Sequence, residues 1–218
     1  MLALAITIGV QLHRAGWQRA GIGVFVAFDC LLRVSELCNL KREDVADTGD
    51  RRISTSHKGM ILRLGKTKTG GNKEVTVNDT HAQHLLRLLV QHTKPKQPLF
   101  PYTTAYFRKL FKATVTDLGL SDLYIPHSLR HGGATYYRHV LKWTIEDVME
   151  RGRWAASKSA RRYIQSGRAM LMEMDAPQSL LQLAVKLALD PSLYLTFPNV
   201  REIRFAKSVL NSMQPEEI

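Results

Sequence analysis

The stretch RRISTSHKGMILRLGKTKTGGNKEVTV, residues 51–77, decides the fold class of this chain. It contains three short segments with the texture of strands, 51–56, 60–64 and 74–77, and glycine-containing turns separate the later ones. Short runs of this kind are typical of antiparallel strands joined as hairpins. The sequence therefore predicts a three-stranded antiparallel meander here.

On both sides of this stretch the pattern is helical. Apolar residues recur at helical spacing from Ile22 to Leu40, which is typical of a buried helical segment. Thr144 and Asp147, three residues apart, predict a capping box at another helix start. Further helices are predicted over 79–91, 103–115, 128–141, 157–163 and 180–187. Helices around a small antiparallel sheet make an α+β fold.

Composition places the chain among globular proteins with a polyanionic partner. Its 218 residues are 44% hydrophobic and 23% charged, which argues against disorder, coiled coil and collagen. Lys and Arg number 31 against 19 acids, a net charge of +12, and three stretches, 51–73, 80–116 and 151–172, contain no acid at all. Such an excess favours nucleic acid as the partner, ahead of an anionic membrane surface.

The cysteines and the apolar N-terminus suggest a protein without disulfides or a membrane anchor. Cys30 and Cys38 form no disulfide framework and lack zinc spacing, so a reducing compartment, cytoplasm or nucleus, is expected. The apolar run Met1–Val10 is shorter than the ~20 residues that cross a bilayer. No targeting signal is evident, and the localisation stays open.

Three segments carry residues of catalytic type. Arg33 lies in the apolar run LLRVSEL, where a guanidinium must be paired, for example with Glu36, or face a ligand. In PHSLRHGG, residues 126–133, His127 and Arg130 share a helix face, and His131 is expected on another. GRW, residues 152–154, is followed nine positions after its tryptophan by Tyr163. Taken singly, these are also explained by a buried ion pair, an ordinary helix start and a core tyrosine.

Taken together, the order and spacing of these residues resemble the tyrosine recombinase (phage integrase) family. Arg33 falls in the family's Arg-x-Ser-Glu-Leu box, and His127 and Arg130 fall in its His-x-Leu-Arg-His box. Trp154 occupies the His/Trp position, as in the Cre subgroup, and Tyr163 lies at the family's spacing beyond it. The resemblance covers roughly residues 20–167 and implies the family's catalytic fold.

The resemblance implies DNA strand cleavage and rejoining through a 3′-phosphotyrosyl intermediate, without metal, ATP or cofactor. Tyr163 would be the nucleophile, and His127 would donate a hydrogen bond or accept its proton. Arg33 and Arg130 would bind the non-bridging phosphate oxygens, and Trp154 would add its indole N–H.

The leaving 5′ oxygen would be protonated by a lysine of the hairpin. Two lysines of the hairpin, Lys66 and Lys68, qualify. The family's Lys-Thr motif favours Lys68 over Lys66. Glu36 would orient its neighbours, and His131 would have a structural or supporting role. Contacts to the DNA backbone are expected from Arg151, Arg153, Lys158, Arg161, Arg162, Arg168 and Lys66.

The expected domain organisation is a catalytic domain, residues 1–175, and a C-terminal helical tail, residues 176–218. An apolar face at 180, 181, 183, 185 and 187 would dock on a neighbouring protomer or pack on its own domain. Duplex DNA and further copies on DNA, from dimer to tetramer, are the expected partners. The family's N-terminal core-binding domain would be missing from this chain or supplied separately.

Other functions remain open from the sequence. A type IB topoisomerase shares the tyrosine chemistry, and a catalytically inactive DNA-binding remnant of a mobile element would share the motifs. A metal-dependent transposase fits poorly, because that chemistry needs clustered carboxylates and most acids lie away from the matched boxes.

Overall fold

The computed structural model describes residues 1–48, 50, 52, 59–67, 70–164 and 166–189. Side chains at 66, 67, 70–72, 166, 168 and 169 are outside this description. Three helices lead into the sheet: α1 (Leu2–Arg14), α2 (Gln18–Asp29) and α3 (Val34–Asn39), followed by a 3-10 turn, Arg42–Asp44. The strands are β1 (Val45–Ala46), β2 (Met60–Thr67) and β3 (Gly70–Val77). The later helices are α4 (Thr80–Gln91), α5 (Thr104–Asp117), α6 (Pro126–His139), α7 (Ile145–Gly152), α8 (Ser157–Tyr163), α9 (Ser166–Met174) and α10 (Gln178–Leu189).

Helix α2 lies at the centre of the core, because every residue from Ala20 to Asp29 is buried. It crosses α1 closely, since a Cβ built at Gly21 would overlap the carbonyl oxygen of Gly9. Helix α6 approaches its other side equally closely, because a Cβ at Gly133 would overlap the Phe28 carbonyl. The absence of side chains at these positions therefore brings α6 directly against α2.

The sheet is antiparallel in the order β1-β2-β3. Leu62 pairs with Val45 on one side and with Val75 on the other. Alternate residues of the strands are buried, which is the pattern of a sheet with one face on the core. Strands β2 and β3 confirm the predicted segments 60–64 and 74–77.

The first strand differs from the prediction. Val45–Ala46, a segment of only two residues, pairs with Ile61 and Leu62, and so short a strand has no alternation to recognise. The predicted strand over 51–56 lies outside the described residues except for Arg52, which is in a turn.

Local capping signals place the helix starts well. Asp79 accepts hydrogen bonds from the backbone N–H of His81 at 2.8 Å and of Ala82 at 3.0 Å. Thr103 caps α5, and Thr144 and Asp147 form the predicted capping box. Helix α6 begins two residues earlier than predicted, at Pro126, because proline lacks only an N–H that the first turn does not use.

The last described helix packs on its own domain. Leu180, Ala184 and Leu187 of α10 join the core beside α1, whereas Leu183 is 41% and Val185 63% exposed. This is the second of the two arrangements predicted for the apolar face. The mainly helical architecture around a small antiparallel sheet confirms the α+β prediction. None of the described helices is long and apolar enough to cross a membrane.

Candidate active site

Four segments of the sequence, spread from residue 33 to residue 163, meet at one cleft. Arg33 immediately precedes α3, the first two turns of α6 carry His127, Arg130 and His131, Trp154 follows α7, and Tyr163 ends α8. The contact of α6 with α2 brings Arg130 against the loop between α2 and α3, where it donates to the Leu31 carbonyl. The predicted residues of the two motif boxes, Arg33, His127 and Arg130, therefore lie in this cleft. Trp154 and Tyr163 lie there with them.

Tyr163 is held among aromatic rings. Its hydroxyl lies 2.9 Å from Nε2 of His127. Its ring stacks on the His131 ring at 4.3 Å between centroids and lies 4.7 Å from the Trp154 ring. Thr135 Oγ1 donates a hydrogen bond of 3.3 Å to the Tyr163 carbonyl, which ties the end of α8 to α6. Sequence reasoning missed this last contact.

His131 corrects one expectation. We expected its helix face to differ from that of the site, yet its ring contacts both Tyr163 and His127. The physical reason is that residues four apart on a helix are neighbours on its surface. The spacing between 127 and 131 was therefore a signal available in the sequence.

Glu36 lies among three arginines. Its carboxylate accepts hydrogen bonds of 2.6 Å from Arg33 and 2.9 Å from Arg153, and Arg130 lies 3.9 Å away. Burial acts to raise the pKa of Glu36, but Arg153 and Arg33 outweigh burial and lower it. Three cations against one carboxylate leave the cleft with a net positive charge, which suits a phosphate group.

Arg130 is completely buried. Its guanidinium donates to the carbonyls of Leu31 and Gly152 and lies 4.5 Å from the centre of the Trp154 ring. Burial, together with the nearby Arg153 and Arg33, lowers its pKa to about 9. Among the described residues no partner accepts from its Nε. The predicted phosphate-binding arginine is thus covered by Trp154 and Tyr163.

His127 is placed to exist in its neutral form. Burial lowers its pKa below the ordinary 6.5, and the charges of Arg130, Arg33 and Arg108 lower it further. A neutral imidazole has one nitrogen free to accept a proton. Arg108 of α5 was missed by sequence reasoning, because nothing local links its exposed side chain to the motif boxes.

Two of the predicted contacts to the DNA backbone are corrected. Arg151 and Arg153 are both only 7% exposed. Arg151 donates to the Asp29 carbonyl at 2.6 and 2.9 Å and to the Thr76 carbonyl at 2.9 Å. Their guanidiniums are committed to protein acceptors, so they are not available to phosphates at the surface.

The other predicted cations divide into two groups. Lys158, Arg161 and Arg162 of α8 are exposed beside Tyr163, as a contact to the DNA backbone requires. Lys68, and the side chains of Lys66 and Arg168, lie outside the description. Among the described residues, no three of His, Cys, Asp and Glu are grouped so as to hold a metal ion.

Comparison with known proteins places the chain in one family. The model of the phage integrase family matches residues 15–169. A solved structure titled as XerA recombinase is similar, with a TM-score of 0.56 and 21% identity. The match covers 78% of this chain and 60% of that chain, so this chain spans about 60% of the XerA protein's length. No curated protein matches this chain.

Proposed function

Because this chain belongs to the phage integrase family of tyrosine recombinases, we propose that it cleaves and rejoins DNA strands at specific sites through a 3′-phosphotyrosyl intermediate. The observation that carries the proposal is the contact between the Tyr163 hydroxyl and His127 Nε2, 2.9 Å, above the Arg130 guanidinium. Trp154 in the His/Trp position makes a Cre-like subgroup our choice within the family.

Tyr163 is the proposed nucleophile. Its hydroxyl oxygen attacks the phosphorus, its proton passes to neutral His127, and the bond from phosphorus to the 5′ oxygen breaks. The lowered pKa of His127 supports this role, because the imidazole is then unprotonated near neutral pH. Reversal of the same step by another 5′ hydroxyl rejoins the strands, since the phosphodiester energy is retained in the phosphotyrosine.

Arg33 and Arg130 are the proposed ligands of the non-bridging oxygens. Arg33 has a side chain 35% exposed at the cleft and meets the phosphate directly. Arg130 is covered by Trp154 and Tyr163, so its binding of phosphate requires these rings to move aside as Tyr163 attacks. The Trp154 indole N–H is then a third donor.

The leaving 5′ oxygen needs a proton, and we assign it to Lys68 of the β2–β3 hairpin, with Lys66 as the alternative. The described strands pair as far as Thr67 and Gly70, and Lys68 comes between these two residues in the sequence. Threonine follows both lysines, so the choice of Lys68 rests on the resemblance to the family alone.

The proposed partners are duplex DNA and further copies of this chain assembled on it, from dimer to tetramer. Exposed Lys158, Arg161 and Arg162 lie beside the nucleophile and support contacts to the DNA backbone. We assign residues 1–175 to catalysis and 176–218 to a tail. We also expect tight DNA binding to need a core-binding unit, in the same or a separate polypeptide.

The test is covalent trapping on nicked duplexes drawn from DNA flanking the coding sequence. The nick lets the short 5′ fragment diffuse away, so the adduct accumulates and is seen as a shifted band on a denaturing gel. We expect an adduct in excess EDTA, and none from Tyr163→Phe. Tyr136→Phe is the matched control, because Tyr136 lies on the same helix as His127 but outside the cleft, and it should form adduct normally.

Two results would overturn the proposal. One is an adduct that persists in Tyr163→Phe, which would assign the nucleophile elsewhere. The other is DNA binding without any adduct, including after fusion of a core-binding domain before Met1, which would identify a catalytically inactive DNA-binding protein.

A further inference from the structure

Arg153 has an unusual backbone and an unusual environment. It ends α7 in the left-handed conformation, with φ 57° and ψ 40°, a region that favours glycine and costs energy for a side chain with a Cβ. The conformation turns the side chain into the protein, where only 4% of it is exposed. A strained backbone persists only where the surrounding contacts over-determine it.

The guanidinium of Arg153 joins two parts of the cleft. It donates to Glu36 Oε2 at 2.9 Å and to the Leu31 carbonyl at 2.9 Å, and to the Arg151 carbonyl at 2.8 Å. Glu36 in turn binds both the side chain of Arg33, at 2.6 Å, and its backbone N–H, at 2.7 Å. The planar guanidinium of Arg153 therefore connects the loop after α7, through Glu36, to Arg33, the residue that precedes α3.

We infer that Arg153 is a positioning residue which, through Glu36, holds Arg33 in the geometry that binds the scissile phosphate. The inference rests on the proposed function and goes beyond it, because the Arg153 guanidinium contacts Glu36 and backbone carbonyls and would act on the phosphate only through Arg33. Arg33 donates one guanidinium nitrogen, Nη1, to Glu36, and its side chain stays 35% exposed. Without Arg153, Glu36 would be free to turn and carry Arg33 with it.

The effect of Arg153 on the pKa of Glu36 supports this positioning role. The Glu36 side chain is only 8% exposed, yet the pKa of its carboxyl is lowered, with Arg153 the largest of the opposing causes. Arg153 therefore favours the ionised form of the carboxylate, and an ionised carboxylate is the stronger acceptor for Arg33. A neutral Glu36 would offer a weaker acceptor.

The same backbone reversal places Trp154. Directly after Arg153 the backbone N–H of Trp154 donates to the Met149 carbonyl at 3.0 Å, and the indole lies over Arg130. Gly152 leaves room for that ring, because a Cβ there would overlap it. One turn, residues 152–154, thus contacts both proposed phosphate-binding arginines. It contacts Arg130 through the Trp154 ring and Arg33 through Arg153 and Glu36.

The test compares Arg153→Lys with the wild type in single-turnover adduct formation on a nicked duplex. Lysine keeps the positive charge but lacks the planar guanidinium, whose several N–H donors reach two acceptors at once. We expect the maximal rate to fall about 10- to 100-fold, as a misplaced catalytic group does, with the half-saturating DNA concentration unchanged. Arg87→Lys is the matched control, because Arg87 binds Asp47 with the same planar group, at 2.6 and 3.0 Å, outside the cleft.

A double-mutant cycle separates positioning from a merely structural role. If Arg153 acts through Glu36, Arg153→Lys should have little further effect in a Glu36→Gln background, because coupled residues are non-additive. Fully additive losses, or wild-type cleavage by Arg153→Lys, would refute the inference while leaving the proposed function intact. Should Arg153→Lys fold poorly, Arg153→Gly removes the guanidinium and relieves the backbone strain.

A second readout does not depend on cleavage. Carboxyl NMR of Glu36 should show a higher pKa in Arg153→Gly than in the wild type. An unchanged Glu36 pKa would overturn the inference even if no adduct forms, whereas a missing wild-type adduct alone would overturn only the proposed function.

Discussion

Replacing Arg151 by methionine should destabilise the fold rather than weaken DNA binding. The Arg151 guanidinium is 4% exposed and lies 3.1 Å from the Asp29 carboxylate, which is itself 5% exposed. It also donates to the Thr76 carbonyl and stacks 4.3 Å from the Tyr137 ring. One side chain thereby joins α2, β3, α6 and α7.

The expected loss in the free energy of unfolding follows from the Asp29 carboxylate, which stays buried without its ion-pair partner. Methionine fills the volume but leaves the Asp29 carboxylate buried. Among the described residues its strong donors are then the Tyr137 hydroxyl at 2.6 Å and the Asn78 N–H at 3.1 Å. Removing one partner of a buried ion pair costs about 3–5 kcal/mol. For a chain of this size about 2–4 °C is lost per kcal/mol, so the melting temperature should fall by about 6–20 °C.

The assay is urea and thermal unfolding followed by circular dichroism, with DNA binding measured at several salt concentrations. Lys158→Met is the control, because Lys158 is exposed on α8. It should unfold within about 0.5 kcal/mol of the wild type and lower the salt slope by about 0.9 if it binds one phosphate. The reasoning is refuted if Arg151→Met keeps its stability and behaves in the DNA assay as Lys158→Met does.

Three further predictions concern the cleft and the helix packing beneath it. Cleavage that needs neutral His127 should lose rate only at pH values below 6.5, the ordinary pKa of histidine. Arg108→Gln should raise the His127 pKa and move this acid limb of the pH–rate profile to higher pH. An acid limb that does not move would exclude Arg108 from the site. Gly152→Ala should push the Trp154 ring off Arg130, changing tryptophan fluorescence and slowing adduct formation without changing DNA affinity; an unchanged spectrum would contradict the packing. Gly133→Ala should lower the free energy of unfolding in urea by about 1–3 kcal/mol, because the added Cβ meets α2, and an unaltered midpoint would disprove the close approach.

Features that depend on neighbours in the sequence were predicted well. Asp79, Thr103 and Thr144 cap the helices that they were expected to begin, because a cap is a hydrogen bond within one turn. Strands β2 and β3 were visible for the same reason, as their alternation is local. Val45–Ala46 was missed because its strand character comes only from pairing with β2.

The site shows the same division between local and long-range information. The order of Arg33, His127, Arg130 and Tyr163 indicated the family, and these four residues meet in the structure. The side on which His131 lies was misjudged. Arg153 was expected at the surface, yet its guanidinium is inside the protein.

The sequence by itself determined the excess of positive charge, the spacing of the motif boxes, the helix caps and the family. Only the tertiary structure decided which arginines face solvent and which are buried. Arg151 and Arg161 carry the same group in the same basic stretch, but the first meets Asp29 across 122 residues and the second stays exposed on α8. The reason is physical: a guanidinium is buried only where distant segments supply enough carbonyls and carboxylates to replace its water, and the packing of α2, α6 and α7 brings those acceptors together.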